Sequence, residues 1–142
     1  MKIRDVMTRD VQTVGPDQTA QEAAQFMLRE DAGSMPVSDN GKLIGMITDR
    51  DIAIRGVARG YGPKTQVREL MTDDVVCARI DDDIEEIAMR MSEAQVRRLP
   101  VLDENDQHCG IVSLGDLSRE TADKTASIAL EGVSQPGGEH QQ

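Results

Sequence analysis

The chain of 142 residues is predicted to be an α/β protein of the α+β type, made of two tandem copies of one strand-helix-strand-strand-helix unit. The first observation is a repeat: Val6-Met7-Thr8-Arg9-Asp10-Val11 returns as Leu70-Met71-Thr72-Asp73-Asp74-Val75, 64 residues on. The same offset pairs Asp17 with Asp81, Glu22 with Glu86, Ala24 with Ala88, Met27 with Met91, Pro36 with Pro100, Val37 with Val101 and Asp39 with Asp103. After one extra residue in the second copy, Gly45 pairs with Gly110 and Asp51 with Asp116. The second observation is that each copy alternates short β-branched runs with stripes at helical spacing, the mark of mixed strands and helices.

Each copy opens on a short extended stretch, Val11 to Val14 or Val75 to Ile80. A helix follows, capped at Thr19 with Glu22 three residues on, or at Asp83 with Glu86 three residues on. Its core stripe is Ala20, Ala23, Ala24 and Met27 in the first copy and Ile84, Ile87, Ala88 and Met91 in the second. Met35-Pro36-Val37 and Leu99-Pro100-Val101 read as short strands, expected at a sheet edge or with the proline at a strand start, because proline has no N–H to give. Turns at Asp39-Asn40-Gly41-Lys42 and Asp103-Glu104-Asn105-Asp106 lead into the apolar strands at Ile44 and Cys109. Closing helices are expected from about Asp49 to Val57 and from Leu114 onward. The domains are therefore placed at 2–58 and 66–120, with a Gly/Pro linker at 59–65. Residues 121–142 are expected to finish the last helix and then run as a disordered tail from about Leu130.

Chemistry concentrates where the apolar strand meets the closing helix. Thr48-x-x-Asp51 and Ser113-x-x-Asp116 put a hydroxyl and a carboxylate together at that turn. One reading is a capping box and nothing more. The other is a ligand site, since unpaired N–H groups there suit a phosphate and a neighbouring carboxylate can take ribose hydroxyls. Finding the pair in both halves shifts weight to the second reading.

Composition narrows the field. A net charge of −10 argues against general nucleic-acid binding, which draws on Lys/Arg stripes. Phe26 and Tyr61 are the only aromatics, so a bound base must lie between aliphatic side chains. No apolar run approaches the roughly 18 residues of a membrane span, and the opening Met-Lys-Ile-Arg-Asp is unlike a signal core, so a cytoplasmic location is expected. Cys77, Cys109, His108 and His140 are all the cysteines and histidines, too few and too scattered for a zinc site. An enzymatic role for Asp81-Asp82-Asp83 with magnesium, or for Cys77 with His108, is set aside: acids before a helix balance its positive end, and no nucleophile motif surrounds either cysteine.

The Val/Leu-Met-Thr opening, the Met/Leu-Pro-Val strand and the Gly-x-hydrophobic-Thr/Ser-x-x-Asp ending, each met twice in order between Lys2 and Arg119, resemble a tandem pair of CBS domains, or Bateman module. The resemblance implies two β-α-β-β-α units about a pseudo-twofold axis with two clefts between them, a homodimer, and adenosine compounds as ligands. AMP, ADP or ATP is expected, with S-adenosylmethionine and NAD as alternatives and no required cofactor or metal. Carried over by residue, Asp51 and Asp116 hold ribose hydroxyls beside Thr48 and Ser113. Thr13 and Val14, and Cys77 and Ala78, frame the adenine through their backbone. Met35 and Val37, with Leu99 and Val101, wall it. Arg50, Arg97 and Arg98 are the candidates for phosphate, and because their counterparts are Gly115, Gly33 and Ser34 the clefts cannot be equivalent. The stronger site is expected at Asp51, where Arg50 stands inside the motif. With no room for an effector domain beyond the copies, the expected role is a stand-alone sensor that signals to another protein. The alternative is a dimerisation scaffold with empty clefts.

Overall fold

A computed structural model describes residues 1–120, so the expected tail lies outside the described residues. The elements are β1 (Thr8–Arg9), α1 (Ala20–Glu30), β2 (Ser34–Asp39), β3 (Lys42–Thr48), β4 (Ala78–Arg79), α2 (Ile84–Ala94), β5 (Arg98–Leu102), β6 (His108–Ser113) and α3 (Leu114–Glu120). The chain divides into two compact units, each of which draws on both sequence copies. Unit 2 is Gln12–Val75; unit 1 joins Met1–Val11 to the chain from Val76 on. Each copy's opening segment, Val6-Met7-Thr8 or Leu70-Met71-Thr72, is therefore built into the unit that holds the other copy's strands.

In unit 1 the sheet order is β1-β6-β5-β4, with β1 antiparallel to β6, β6 antiparallel to β5, and β4 parallel to β5. Unit 2 repeats the plan in thinner form. Its β2–β3 hairpin is flanked by single bridges, Val14 to Val37 on one side and Thr72 to Met46 on the other. The hairpins share an irregularity, a bulge between Val37 and Ser38 and again between Val101 and Leu102.

The exchange of lead segments explains the repeated glycines. A Cβ on Gly110 would lie 2.5 Å from the Thr8 carbonyl oxygen, and one on Gly45 would lie 2.7 Å from that of Thr72 and 2.9 Å from Met71 Sδ. Only hydrogen leaves space for a backbone so close.

Each unit has its own core. Unit 1 buries Ile3, Val6, Ile84, Ile87, Met91, Leu99, Val101, Val112 and Leu117. Unit 2 buries Val14, Ala20, Ala23, Met27, Met35, Val37, Ile47, Val67 and Leu70. The helical stripes read from the sequence face these cores, except Ala24, which is exposed.

Several local expectations change. Thr19 makes the full capping box with Glu22, but Asp83 makes no side-chain cap. Asp83 instead accepts from Lys2 Nζ at 2.9 Å, and Glu86 pairs with Arg90 at 3.0 Å, so both members of the second box are drawn away by cations. Pro100 marks neither an edge nor a strand start in unit 1, because β5 lies inside the sheet and begins at Arg98. It is tolerated there because β4 reaches only Val101 and Leu102, one residue past Pro100. After β3 the helix winds as a π-helix over Asp51–Gly56 and a 3-10 turn over Val57–Arg59, ending on Gly60 at φ +82°.

Candidate functional site

The two strand-to-helix turns repeat each other bond for bond. In unit 2 the Thr48 N–H donates to Asp51 Oδ2 at 3.0 Å, and the Asp51 N–H donates back to Thr48 Oγ1 at 3.0 Å. In unit 1 the Ser113 N–H donates to Asp116 Oδ2 at 2.8 Å, and the Asp116 N–H donates to Ser113 Oγ at 3.1 Å. Capping is thus real at both turns, and it occupies one oxygen of each acid. The other oxygen meets an arginine of the same helix. Asp116 Oδ1 pairs with Arg119, and Asp51 Oδ1 lies 3.7 Å from Arg55 Nε. Arg55 is already committed, donating to the carbonyl oxygens of Met71 at 3.1 Å and Leu70 at 3.4 Å. Both acids are well covered, with side chains 13% and 7% exposed. Asp51, with one oxygen fixed and the other 3.7 Å from an arginine already held elsewhere, can accept a hydroxyl pair without giving up its cap, whereas Asp116 must share its second oxygen with Arg119.

A second shared bond ties each turn to the start of its hairpin. The Asp49 N–H donates to the Gly33 carbonyl at 2.9 Å, and the Leu114 N–H donates to the Arg97 carbonyl at 2.8 Å. Across the strands Ser34 lies opposite Thr48, and Arg98 opposite Ser113. Cross-strand partners share a sheet face, so Ser34 and Arg98 belong to the face of the hydroxyls. Strand alternation puts Met35, Val37, Leu99 and Val101 on the opposite face, and all four lie in the cores. The structure therefore does not bring these four side chains together with the hydroxyl-acid pairs. It holds them behind the strands.

Thr13 and Val14 run beside β2. Both peptide groups of Val14 are spent on that strand, its N–H on Pro36 O at 3.1 Å and its carbonyl on Ser38 N at 3.0 Å. Thr13 Oγ1 accepts from Ser38 Oγ at 3.2 Å. Ala78 is the matching core residue of unit 1, paired with Val101, and the Cys77 carbonyl accepts from Arg90 at 2.6 Å. Burial pushes the thiols of Cys77 and Cys109 up, away from the reactive thiolate. Arg50 and Arg97 are exposed and Arg98 is half-buried. None of the three guanidinium groups makes an ion pair among the described residues.

Sequence reasoning missed Arg55 and Arg119, though their spacing of four and three residues from the acids was a signal. It also missed Ser34 and Asp49, whose place is set by strand register. The Asp81-Asp82-Asp83 run is taken up by ion pairs with Arg4, Arg90 and Lys2. Among the described residues no group of three His, Cys, Asp or Glu could hold a metal ion, and no helix is long and apolar enough to cross a membrane. Unit 2 also has an apolar hollow of about 280 Å³ lined by Ala20, Ala24, Ile52, Val57, Tyr61 and Leu70, among others. No candidate ligand residue lines it, so it is a separate feature.

The sequence matches the CBS domain family twice, over residues 3–56 and 67–123. The chain belongs to the CBS domain family. Its relatives include the CBS domain-containing protein YhcV of Bacillus subtilis, 41% identical over 133 residues, which make up 93% of this chain and 94% of that protein. Among solved structures, the CBS pair resembles Hypoxic Response Protein I, determined with two coordinated zinc ions, at 38% identity and a TM-score of 0.79, over 86% of this chain and all of that one. It also resembles CBSX2 in complex with AMP (26% identity, TM-score 0.73, 83% and 93% covered). A third likeness is the CBS domain pair of MJ0100 with 5′-methylthioadenosine and S-adenosylmethionine (30% identity, TM-score 0.74, 84% and 94% covered). The family matches follow the sequence repeat, whereas the compact units follow the exchanged lead segments.

Proposed function

We propose that this CBS pair is a regulatory module that binds adenosine compounds at its two strand-to-helix turns and passes the event to a partner protein. The observation that carries the reading is the repeated acid, covered, fixed to its turn through one oxygen and turned at the other toward an arginine, loosely so at Asp51 and closely at Asp116, that a ligand hydroxyl would have to join or displace. Asp51 and Asp116 take the ribose hydroxyls, with Thr48 and Ser113 beside them. Thr13, whose own peptide groups have no backbone partner among the described residues, and Cys77 with Ala78 frame the base. Arg50, Arg97 and Arg98 are the cations for a phosphate. The adenosine compounds held by CBSX2 and MJ0100 support the ligand class. The protein is not an enzyme, requires no cofactor, works in the cytoplasm and pairs with a second copy. Met1, Leu28, Ile54, Val57, Tyr61 and Met89 are the large apolar residues exposed among the described residues and available to such pairing.

The scaffold reading has one observation in its favour, that both acids already serve as caps. Thermal melting separates the two. A ligand at 100 times its Kd adds about 2.7 kcal/mol of stability. Adenosine binding predicts an upward shift with at least one of AMP, ADP, ATP, S-adenosylmethionine and NAD; a flat panel would leave the scaffold.

A further inference from the structure

The shared bonds make the two turns superimposable position by position, so differences between them are differences in what each can hold. Residues 33 and 34 stand where unit 1 has 97 and 98, and Asp49 stands where unit 1 has Leu114. In unit 1 those places hold Arg97 and Arg98 beside an apolar residue. In unit 2 they hold Gly33 and Ser34 beside a carboxylate. A Cβ on Gly33 would already lie 3.0 Å from Asp49 Oδ2, so the acid fills the space a side chain there would need. Asp49 also accepts the Arg50 N–H at 2.8 Å, and with Arg55 committed to the Leu70 and Met71 carbonyls, Arg50 is left as the one uncommitted cation at this turn among the described residues, set between Asp49 and Asp51. Ser34 is 9% exposed, and its hydroxyl has no hydrogen-bond partner among the described residues. A neutral hydroxyl can complete one hydrogen bond to a ligand but cannot balance a phosphate, which carries about −1.5 to −2 at neutral pH.

We propose that the sites divide their ligands by charge: the turn at Asp116, with Arg98 and Arg97, takes a phosphorylated adenosine, and the turn at Asp51, with Ser34 and Asp49, takes an adenosine that is neutral or cationic at its 5′ substituent. This rests on the adenosine reading above and reverses the expectation that the Asp51 site suits a nucleotide better. Arg98 is the specificity residue of the first site: it is half-buried, on the face of Ser113, and pairs with no acid among the described residues. Asp49 is that of the second, repelling an anion.

Calorimetric titration of the full chain with AMP and with 5′-methylthioadenosine tests the division. AMP is expected to fill one site per chain and to leave a methylthioadenosine site that it does not displace. Arg98→Ser should weaken AMP by roughly 10- to 100-fold, the loss of a charge-assisted hydrogen bond, and change methylthioadenosine binding at the other site little. Asp49→Asn, which keeps an acceptor for the Arg50 N–H, should admit AMP to the second site. AMP filling two sites with like affinity, or Arg98→Ser weakening both compounds alike or neither, would overturn the division. A folded chain that binds neither compound would overturn the adenosine reading itself.

Discussion

Replacing Gly110 by alanine probes the exchange of lead segments. The added methyl carbon would lie 2.5 Å from the Thr8 carbonyl oxygen and 3.4 Å from Met7 Sδ. Ordinary contacts begin near 3.4 Å, so β1 must back away by most of an ångström. Its pairing with β6 rests on only two residue pairs, Thr8 with Ile111 and Arg9 with Gly110, and cannot absorb that shift. Overpacking costs about 1–3 kcal/mol and a lost backbone hydrogen bond about 1 kcal/mol more, so Gly110→Ala should destabilise by about 2–4 kcal/mol. For a chain of this size that is a fall in melting temperature of roughly 6–15 °C. Gly45→Ala, 2.7 Å from Thr72 O, should behave alike. Gly115→Ala is the control: its methyl would meet Ser113 Oγ at 3.6 Å, and alanine is the better helix former by up to about 1 kcal/mol. Urea titration and thermal melting read all three. A Gly110→Ala chain as stable as wild type would refute the packing of Met7-Thr8 over that glycine.

Three more outcomes follow from local geometry. Thr19→Ala removes a cap hydrogen bond and should cost about 1 kcal/mol in urea unfolding, while Asp83→Ala, which loses only an exposed pair with Lys2, should cost less. His108 Nε2 is buried without a hydrogen-bond partner among the described residues, and burial pushes the His108 pKa below the usual 6.5. The unfolded chain therefore binds the proton first, so this stabilisation is full above about pH 6.5 and is lost as pH falls through the lowered pKa. Melts from pH 7.5 to 5 should decline more steeply for wild type than for His108→Gln. Asp51→Asn keeps an oxygen for the Thr48 N–H but swaps the second acceptor for a donor. Its melting point without ligand should change little while adenosine affinity at that site falls at least tenfold, as titration calorimetry would record.

The repeat made much of this legible. An offset of 64 residues gave the two copies, the period of the stripes gave α1 and α2, and the hydroxyl-acid spacing gave both turns. What stayed hidden depends on pairing across the chain. Met7-Thr8 and Met71-Thr72 are so alike that nothing local says which glycine each covers, and the answer sets the unit boundaries. Asp83 reads as a cap as plainly as Thr19 does, but Lys2, 81 residues away, takes it. The part played by Ser34 and Asp49 needed the register of β2 against β3 and one backbone bond from Gly33. Met35 and Val37 were expected to wall a ligand by the family resemblance, whereas alternation along the strand turns them to the core.

The most direct test of the adenosine site is a titration of isotopically labelled protein with adenosine, followed by the shifts of its backbone amides. If the acids grip a ribose, the amides of Thr48 and Asp51, of Ser113 and Asp116, or of both pairs move first and saturate together. Shifts confined to the hollow around Ala24, Val57 and Tyr61, with both turns unmoved, would contradict the account.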